Sequence, residues 1–340
     1  MAGSMKLDGF LLATLAAVFA ALVAPSIGAA GGPLHLDVVT TVGIAIMFFL
    51  HGAALSPQAL KAGAANWRLH LLVHGSTYLL FPAIGFAFFL LGAGLAPAEV
   101  RLGVFYLCAV SSTISSSVAM TAIGKGNVAG AIFDATLSGL LGMVLTPLLV
   151  GLVVASGSGH LPLLPAILDV VKTLLLPFAA GQIARPLIAG LLHRHEAGVA
   201  NADRAVIVLI VYAAFCDSSA AGLWSRYDPL LILGVAVMML VLLVLILFLT
   251  TGASRLLGFS RADEVAAVFC GSKKSLANGA PIAAVLFAGN PALGMIMLPL
   301  LLYHQMQLVL CSILARRYAE RAARELAPDP SASVASAGQG

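Results

Sequence analysis

The sequence predicts an all-α polytopic membrane protein, and three observations support this fold class. Of the 340 residues, 61% are hydrophobic and only 9% are charged, and the mean hydropathy is +1.04. An ordinary soluble domain is about 25% charged. Apolar runs of about 20 residues, the length that crosses a bilayer, recur along almost the whole chain. Because the connections are too short for a soluble domain, we expect one membrane domain.

Ten transmembrane spans follow from the apolar runs and their polar breaks. When the N-terminus is cytoplasmic, thirteen of the 18 lysines and arginines lie toward the cytoplasmic side, only Arg101, Lys172 and Arg226 lie toward the outside, and Lys273 and Lys274 lie deep in the ninth span. The positive-inside rule therefore predicts that both termini are cytoplasmic, in a bacterial inner membrane. The predicted spans are residues 10–30, 38–55, 71–94, 102–123, 128–154, 163–190, 205–222, 230–251, 265–288 and 291–315.

The two ends of the chain lie outside the predicted transmembrane domain, residues 10–315. Residues 1–9 are expected to be a cytoplasmic N-terminus in which "MAGS", before Met5, is an expression remnant. Residues 10–30 also fit a signal peptide, but keeping them as a span gives the better topology. Residues 316–340 are predicted to be a basic, then disordered, cytoplasmic tail, because the last residues are rich in Pro, Ser and Ala.

An internal repeat relates the two halves, residues 10–154 and 163–315. The stretch "LGMVLTPLL" (141–149) returns as "LGMIMLPLL" (293–301), with six of nine positions identical. In each half a polar interruption comes one span earlier, and a Gly-Asn pair follows it at 126–127 and 289–290. Each half holds an odd number of spans, so the second half enters the membrane from the opposite side. The pattern predicts an inverted repeat, a common construction of secondary transporters.

The ninth span is interrupted by "GSKKSLANG", residues 271–279, between two apolar pieces too short to cross alone. An opened helix survives at this depth only where protein or water satisfies its backbone. A discontinuous helix that lines a site is therefore expected. The fourth span supplies the matching interruption, "SSTISSSVAMT", with six hydroxyls within seven residues. The alternative reading of these serines is close helix packing, which small residues also permit.

Lys273 and Lys274 lie too deep in the ninth span to reach water. Lys273 is nine residues past Glu264, about 13 Å along a helix. A lysine at mid-membrane costs about 2.5–3.5 kcal/mol on insertion scales, so a counter-charge or a wet cavity is expected. Asp134 is the carboxylate well inside a candidate span, and we predict that it pairs with the lysines. The alternatives are an architectural buried charge or a misplaced span.

The two interrupted spans and the repeated motif resemble the bile acid:sodium symporter superfamily, and in particular its divergent sodium/bile acid cotransporter branch. The resemblance extends over nearly the whole chain and is most specific at "CGSKKSLA" (270–277). It implies two inverted repeats of five helices, a panel domain of spans 1, 2, 6 and 7, and a core domain of spans 3–5 and 8–10. It also implies that helices 4 and 9 are broken and cross near the midplane, with a substrate cleft between the domains.

The sodium ligands of better-studied members do not transfer cleanly onto this sequence. The resemblance places Ser116 and Ser117 at one ligand pair, with Thr136 and Ser138 as fifth-helix hydroxyls, so a sodium ion near these four is implied. The expected glutamate falls on Phe269 and the expected glutamine on Lys273. A protonated lysine repels Na⁺ by about 4 kcal/mol at 4 Å and an effective dielectric of 20.

We therefore expect a lysine to act as a tethered cation that fills the role of bound sodium and pairs with Asp134 or with an anionic substrate. Buried lysines also release protons readily, so the coupling ion is expected to be Na⁺ or H⁺. No other cofactor is expected, and no metal site is assigned with certainty. The candidate substrate- and ion-binding residues are Thr113, Ser115, Ser116, Ser117, Asp134, Thr136, Ser138, Gly271, Ser272, Lys273, Lys274, Ser275 and Asn278.

These features predict a secondary transporter of an organic anion, with membrane lipid and that small solute as partners. Nucleic acid is excluded as a partner because the basic residues lie in short connections. The alternatives are a sodium-independent or proton-coupled carrier and a non-transporting regulator or sensor of ion homeostasis. An intramembrane Ser/Lys hydrolase is disfavoured because no GxSxG surrounds the serines, so we expect no enzyme. The sequence does not predict an oligomeric state. His51, His74 and His304 are each expected to be a hydrogen-bonded packing residue and not a relay or a ligand.

Overall fold

The computed structural model describes residues 9–56, 58, 63–156 and 163–326, and this part of the chain is helical without strands. Two short helical turns, Pro25–Gly28 and Trp224–Arg226, lie in connections. The main helices are α1 Gly9–Val23, α2 Leu36–Ala54, α3 Trp67–Gly94, α4 Ala98–Ala109, α5 Ser115–Ile123, α6 Val128–Ser156, α7 163–194, α8 Glu196–Ala220, α9 Pro229–Leu256, α10 Arg261–Ser272, α11 Leu276–Leu286 and α12 Leu293–Leu326.

Seven of these helices are long and apolar enough to cross a membrane by length and composition, namely α2, α3, α6, α7, α8, α9 and α12. The shorter α1 is also apolar. The fold is therefore all-helical and polytopic, as predicted. The exact ten-span topology stays a prediction.

The predicted fourth and ninth spans each consist of two short helices, α4 with α5 and α10 with α11. The residues between them, 110–114 and 273–275, are not helical. The second gap is shorter than the predicted interruption, because α10 continues to Ser272 and α11 resumes at Leu276. Ser275 starts α11 by accepting a hydrogen bond from the Asn278 backbone N–H at 3.1 Å.

Helix α12 runs to Leu326, well past the predicted span end at 315. The first part of the predicted basic tail is therefore helical, while residues 327–340 lie outside the described residues. The predicted remnant "MAGS" and Lys6 also lie outside them.

The helices pack in two groups. One group consists of α1, α2, α7 and α8, in which α2 packs along α7 and α8, and α1 packs along α8. Gly52 and Gly181 allow α2 and α7 to approach backbone to backbone, because a Cβ on either would clash with the facing chain. The other group contains α3 to α6 and α9 to α12, and the two groups meet where α8 packs on α11 and α12 and where α7 packs on α6 and α11.

The repeated motif does not mark equivalent positions in the structure. Its first copy begins in the middle of α6, whereas its second copy begins at the first residue of α12. The Gly-Asn pairs are better markers, because each lies between the second half of a broken helix and the next long helix. Asn127 accepts a hydrogen bond from Gly130 N at 2.9 Å, and Asn290 accepts one from Ala292 N at 2.9 Å.

Candidate functional site: the crossing of two broken helices

The C-terminal end of α10 is capped by side-chain hydroxyls. The last four carbonyls of a helix have no intrahelical donor, and inside a membrane each needs a partner from the protein. Two of the four donors come from the hydroxyl run of the fourth span. The pairs are Ser117 Oγ to Phe269 O (3.2 Å), Ser112 Oγ to Cys270 O (2.6 Å), Ser76 Oγ to Gly271 O (2.8 Å) and Tyr303 OH to Ser272 O (2.7 Å).

The C-terminal end of α4 is satisfied by donors from the opposite break and from α6. Thr146 Oγ1 donates to Ala109 O at 2.9 Å, and the Ser275 backbone N–H donates to Ser111 O at 2.8 Å. Asn278 Nδ2 also donates to Ser111 Oγ at 2.9 Å. Each break therefore supplies hydrogen-bond donors to the other, which fixes their crossing.

Lys274 completes the α4 end with its ammonium group. Its Nζ donates to Cys108 O at 2.8 Å, Val110 O at 2.8 Å and Thr77 O at 3.1 Å. An ammonium has three donors, so all are used. The Nζ also lies 4.0 Å from the centre of the Phe81 ring, a cation–π contact. A cation at a helix C-terminus is favourable because the unpaired carbonyls carry partial negative charge.

The third carbonyl of this cage is free because α3 contains a π-helical turn, Ser76–Leu80. The Phe81 N–H bonds to Ser76 O instead of to Thr77 O. The next residue is Pro82, which has no N–H to donate. Thr77 O is thereby left to accept the Lys274 ammonium. π-turns of this kind are frequent at functional sites.

The backbone of Lys274 is held by one amide side chain of α12. Gln307 Oε1 accepts from Lys274 N at 2.8 Å, and Gln307 Nε2 donates to Lys274 O at 2.7 Å. Gln307 Nε2 also lies 2.9 Å from His304 Nδ1. Both backbone groups of Lys274 are therefore paired within the break.

Lys273 is buried as completely as Lys274 but is bonded much less. Both side chains have 0% exposure. The Lys273 Nζ donates to Ser116 O at 2.9 Å and lies 5.8 Å from the Phe269 ring centre. This is its one hydrogen bond to the described residues, so two of its three N–H donors are available. The ion pairs in the described part of the chain include neither lysine.

The predicted pairing of Asp134 with the lysines is wrong. Asp134 is fully buried, but its Oδ1 lies 2.7 Å from His70 Nδ1 and 3.4 Å from His74 Nε2. His74 is accordingly not a lone histidine. Lys274 is satisfied by neutral carbonyls and Lys273 contacts one, and neither lysine has a carboxylate partner among the described residues.

The structure divides the hydroxyls implied for sodium between two places. Ser116 and Ser117 contact Thr113 at 2.7 and 2.9 Å, and the carbonyl of Ser116 faces Lys273. The Ser138 hydroxyl instead accepts from Ser112 N at 2.9 Å. The Ser138 carbonyl accepts from the hydroxyl of Tyr78, on α3. The Lys273 ammonium therefore contacts one of the residues implied for sodium, whereas Ser138 bonds to another part of the first break.

The other predicted residues have varied positions. Gly271, Ser272, Ser275 and Asn278 take part in the contacts of the crossing, largely through backbone groups. Thr136 is buried on α6, at 9% exposure. Ser115, the first residue of α5, is exposed rather than buried at the crossing.

A sequence model of the SBF-like CPA transporter family matches residues 8–320. The chain belongs to this family. An uncharacterized Pseudomonas aeruginosa protein, PA2026, is 44% identical over 95% of this chain and 97% of its own length. "Putative symporter YfeH" of Escherichia coli K12 is 41% identical over 92% and 93%. Mouse sodium/bile acid cotransporter 7 is 32% identical over 90% and 91%.

The predicted relation to bile acid:sodium symporters is thereby confirmed, and the chain is an integral membrane protein of a transporter family. Several residues of this SBF-like chain, at the crossing and around Asp134, have contacts that were not predicted. Gln307 gave a signal as an amide in an apolar helix, and His70 with His74 gave one through their four-residue spacing on one helix face. The π-turn, in contrast, depends on packing and has no comparable signal.

Proposed function

We propose that this protein is a secondary transporter that moves an organic anion by alternating access, with a fixed lysine charge in place of part of the sodium site. The observation that carries the proposal is Lys273, a fully buried ammonium with one hydrogen bond and no carboxylate partner among the described residues. Its two available donors suit a carboxylate or sulfonate group of a substrate. Lys274, with every donor used, has the structural role.

Electrostatics favour an anion at this position over sodium. Two unit charges at 4 Å interact by about 4 kcal/mol at an effective dielectric of 20. The same charge that attracts an anion therefore repels Na⁺ from the hydroxyls of Ser116 and Ser117. We expect transport that does not strictly require sodium, with H⁺ as the coupling ion.

The packing of the helices supports alternating access. The group α1, α2, α7 and α8 and the group that holds the crossing meet along α8 and the first part of α7, an arrangement that suits rocking of one group against the other. Two breaks that donate hydrogen bonds to each other, each followed by a Gly-Asn pair and a long helix, support two inverted repeats of five spans. Because Lys273 is buried in this structure, such rocking is needed to expose it.

The test is uptake of a labelled organic anion, taurocholate, into proteoliposomes that contain the purified full-length protein. Initial rates are measured with and without Na⁺ and with a pH gradient. Lys273→Met should lower the rate by at least about tenfold, or about 1.4 kcal/mol. Lys172→Met is the matched control, because Lys172 is exposed on α7, and its uptake should equal that of the wild type.

Two outcomes contradict the proposal. Uptake that strictly requires Na⁺ and is undiminished in Lys273→Met would exclude the fixed-charge mechanism. Binding of taurocholate, measured as a thermal shift, without flux under any gradient or in counterflow would instead favour the regulator or sensor alternative.

A further inference from the structure

A second buried polar cluster lies between α3 and α6. It consists of Asp134, His70 and His74. His70 bridges two oxygens, because its Nδ1 lies 2.7 Å from Asp134 Oδ1 and its Nε2 lies 3.0 Å from Gly63 O. Asp134 Oδ2 is buried and has no hydrogen-bond partner in the described part of the chain. The cluster is therefore incompletely satisfied.

The geometry around His70 fixes a proton count. A neutral imidazole has one N–H donor, and the Gly63 carbonyl can only accept. If Asp134 is ionised, both ring nitrogens must donate, so His70 is an imidazolium. If His70 is neutral, Asp134 must donate the bridging hydrogen and is a carboxylic acid. In both cases the pair holds one proton beyond ionised Asp134 and neutral His70, and its net charge is zero.

His74 offers the position to which this proton can move. Its Nε2 lies 3.4 Å from the same Asp134 oxygen, and neither of its ring nitrogens has a hydrogen bond within the described residues. Its side chain is 16% exposed, whereas that of Asp134 is 0% exposed. A small shift of the ring would therefore connect the buried acid to a more accessible base.

The cluster is joined to the crossing through α3. His74 stacks on Tyr78, with ring centres 6.4 Å apart and planes 12° apart. The Tyr78 hydroxyl donates to Ser138 O, and Ser138 Oγ accepts from the first break at Ser112 N. The π-turn that follows His74 also supplies Thr77 O to the Lys274 cage. A change in the His74 position therefore acts on the segment that holds both breaks.

Other titratable groups surround the cluster on the neighbouring elements. On α10, the Cys270 thiol faces α6 and lies 3.8 Å from Ala131 O. Asp263, at the start of α10, is part-buried and accepts a hydrogen bond from Asn127 Nδ2 at 2.8 Å, next to the start of α6. The groups that also contribute charge or polarity to this region are Tyr78, Arg68 and Lys273.

We propose that the Asp134–His70–His74 cluster binds and releases the proton that is exchanged during the transport cycle. On release, a proton leaves the His70–Asp134 pair through His74, and the charge of the cluster falls from zero to −1. On binding, a proton from water restores zero. The inference rests on the proposed transport function and assigns its coupling ion to named side chains. The ammonium of Lys274, through Thr77 O, and the variable charge of this cluster, through His70, both contact the same helix, α3.

The first test measures proton binding without transport. Infrared difference spectra of the full-length protein in lipid nanodiscs are recorded between about pH 5 and pH 8, the range in which histidines titrate. The wild type should show a pH-dependent carboxyl or imidazolium band that disappears in Asp134→Asn. The control variant His193→Gln/Glu196→Gln removes an exposed His–carboxylate pair and should keep that band.

The second test measures proton movement with a pH-sensitive dye trapped in proteoliposomes during taurocholate uptake. Asp134→Asn should lower this movement by at least about tenfold relative to the control variant, while taurocholate counterflow persists. Equal proton movement in both variants, or the absence of an Asp134-dependent band, would overturn the inference and leave the transport proposal standing. An Asp134-dependent band in a wild type that carries no taurocholate would support proton binding at the cluster and contradict the transport proposal.

Discussion

The crossing and the histidine–aspartate cluster both bury charge, but they satisfy it in opposite ways. At the crossing, three main-chain carbonyls accept all three N–H donors of Lys274. In the cluster, one oxygen of Asp134 faces two histidines and the other has no partner among the described residues. A charge that is held by neutral dipoles stays in place, whereas a charge balanced by a shared proton changes when the proton leaves.

This difference indicates which buried charges are architectural. A buried donor or acceptor that loses its partner costs about 1–3 kcal/mol, and more when it is charged. A fully bonded ammonium is therefore expensive to remove. An incompletely bonded group costs less to change and is available to a ligand or a proton.

The largest expected effect is that of Lys274→Met on stability. The substitution leaves the carbonyls of Cys108, Val110 and Thr77 without their donor inside the membrane. We expect a loss of about 3 kcal/mol or more, from about 1–3 kcal/mol for each unpaired group. The measurement is thermal unfolding of the purified protein in detergent, with Lys172→Met as control. A midpoint equal to that of the control would show that the cage does not stabilise the crossing.

The next effect is that of Gln307→Leu, which removes the partner of Lys274 N and the shorter of the two contacts to Lys274 O, the other being His304 Nδ1 at 3.4 Å. Leucine has a similar volume, so the loss comes from the polar groups, and we expect about 2 kcal/mol. Gln307→Glu keeps the acceptor for Lys274 N but not the donor for Lys274 O, so its midpoint should lie between those of Gln307→Leu and the wild type. An unchanged midpoint in Gln307→Leu would indicate that water replaces the amide.

The sequence predicts the elements and the burial of the lysines well because these depend on local composition. The apolar runs place the breaks at "SSTISSS" and "SKKS", and "NV" or "NPA" after each broken helix predicts where the next helix begins. The register of the internal repeat is less predictable. The "LGM" motif predicts equivalent positions in the two halves, but its first copy begins in the middle of α6 and its second at the first residue of α12.

Partner choice at the site depends on the rotation of helices, which composition does not specify. Asp134 faces α3 and its histidines, although the lysines are the strongest charges nearby in the predicted topology. The hydroxyls of Ser112 and Ser117 satisfy the carbonyls at the end of α10, a role that requires knowing where that helix ends. The sequence shows Pro82, but it does not predict the π-turn in which the missing N–H of this proline leaves Thr77 O without a backbone donor.

A smaller effect is expected for Tyr78→Phe, which cuts the link between the two regions. The ring keeps its stacking on His74, but the hydrogen bond to Ser138 O is lost. Ser138 lies inside α6, so its carbonyl can still accept a hydrogen bond from the backbone of that helix. We therefore expect a stability loss of about 1 kcal/mol. Proton movement during taurocholate uptake should fall more than binding of taurocholate does. Equal proton movement in the variant and the wild type would show that the cluster acts on the crossing by another route.

The smallest expected effect on stability is that of Lys273→Met. Replacing a buried charge by an apolar side chain of similar size is often neutral or stabilising. Lys273 makes one hydrogen bond to the described residues, and its acceptor, Ser116 O, lies in the first turn of α5. We expect an unfolding free energy within about 1 kcal/mol of the wild type. A midpoint as low as that of Lys274→Met would place both lysines in the architecture. A normal midpoint with lost uptake would assign the charge used in transport to Lys273, two of whose N–H donors have no acceptor among the described residues.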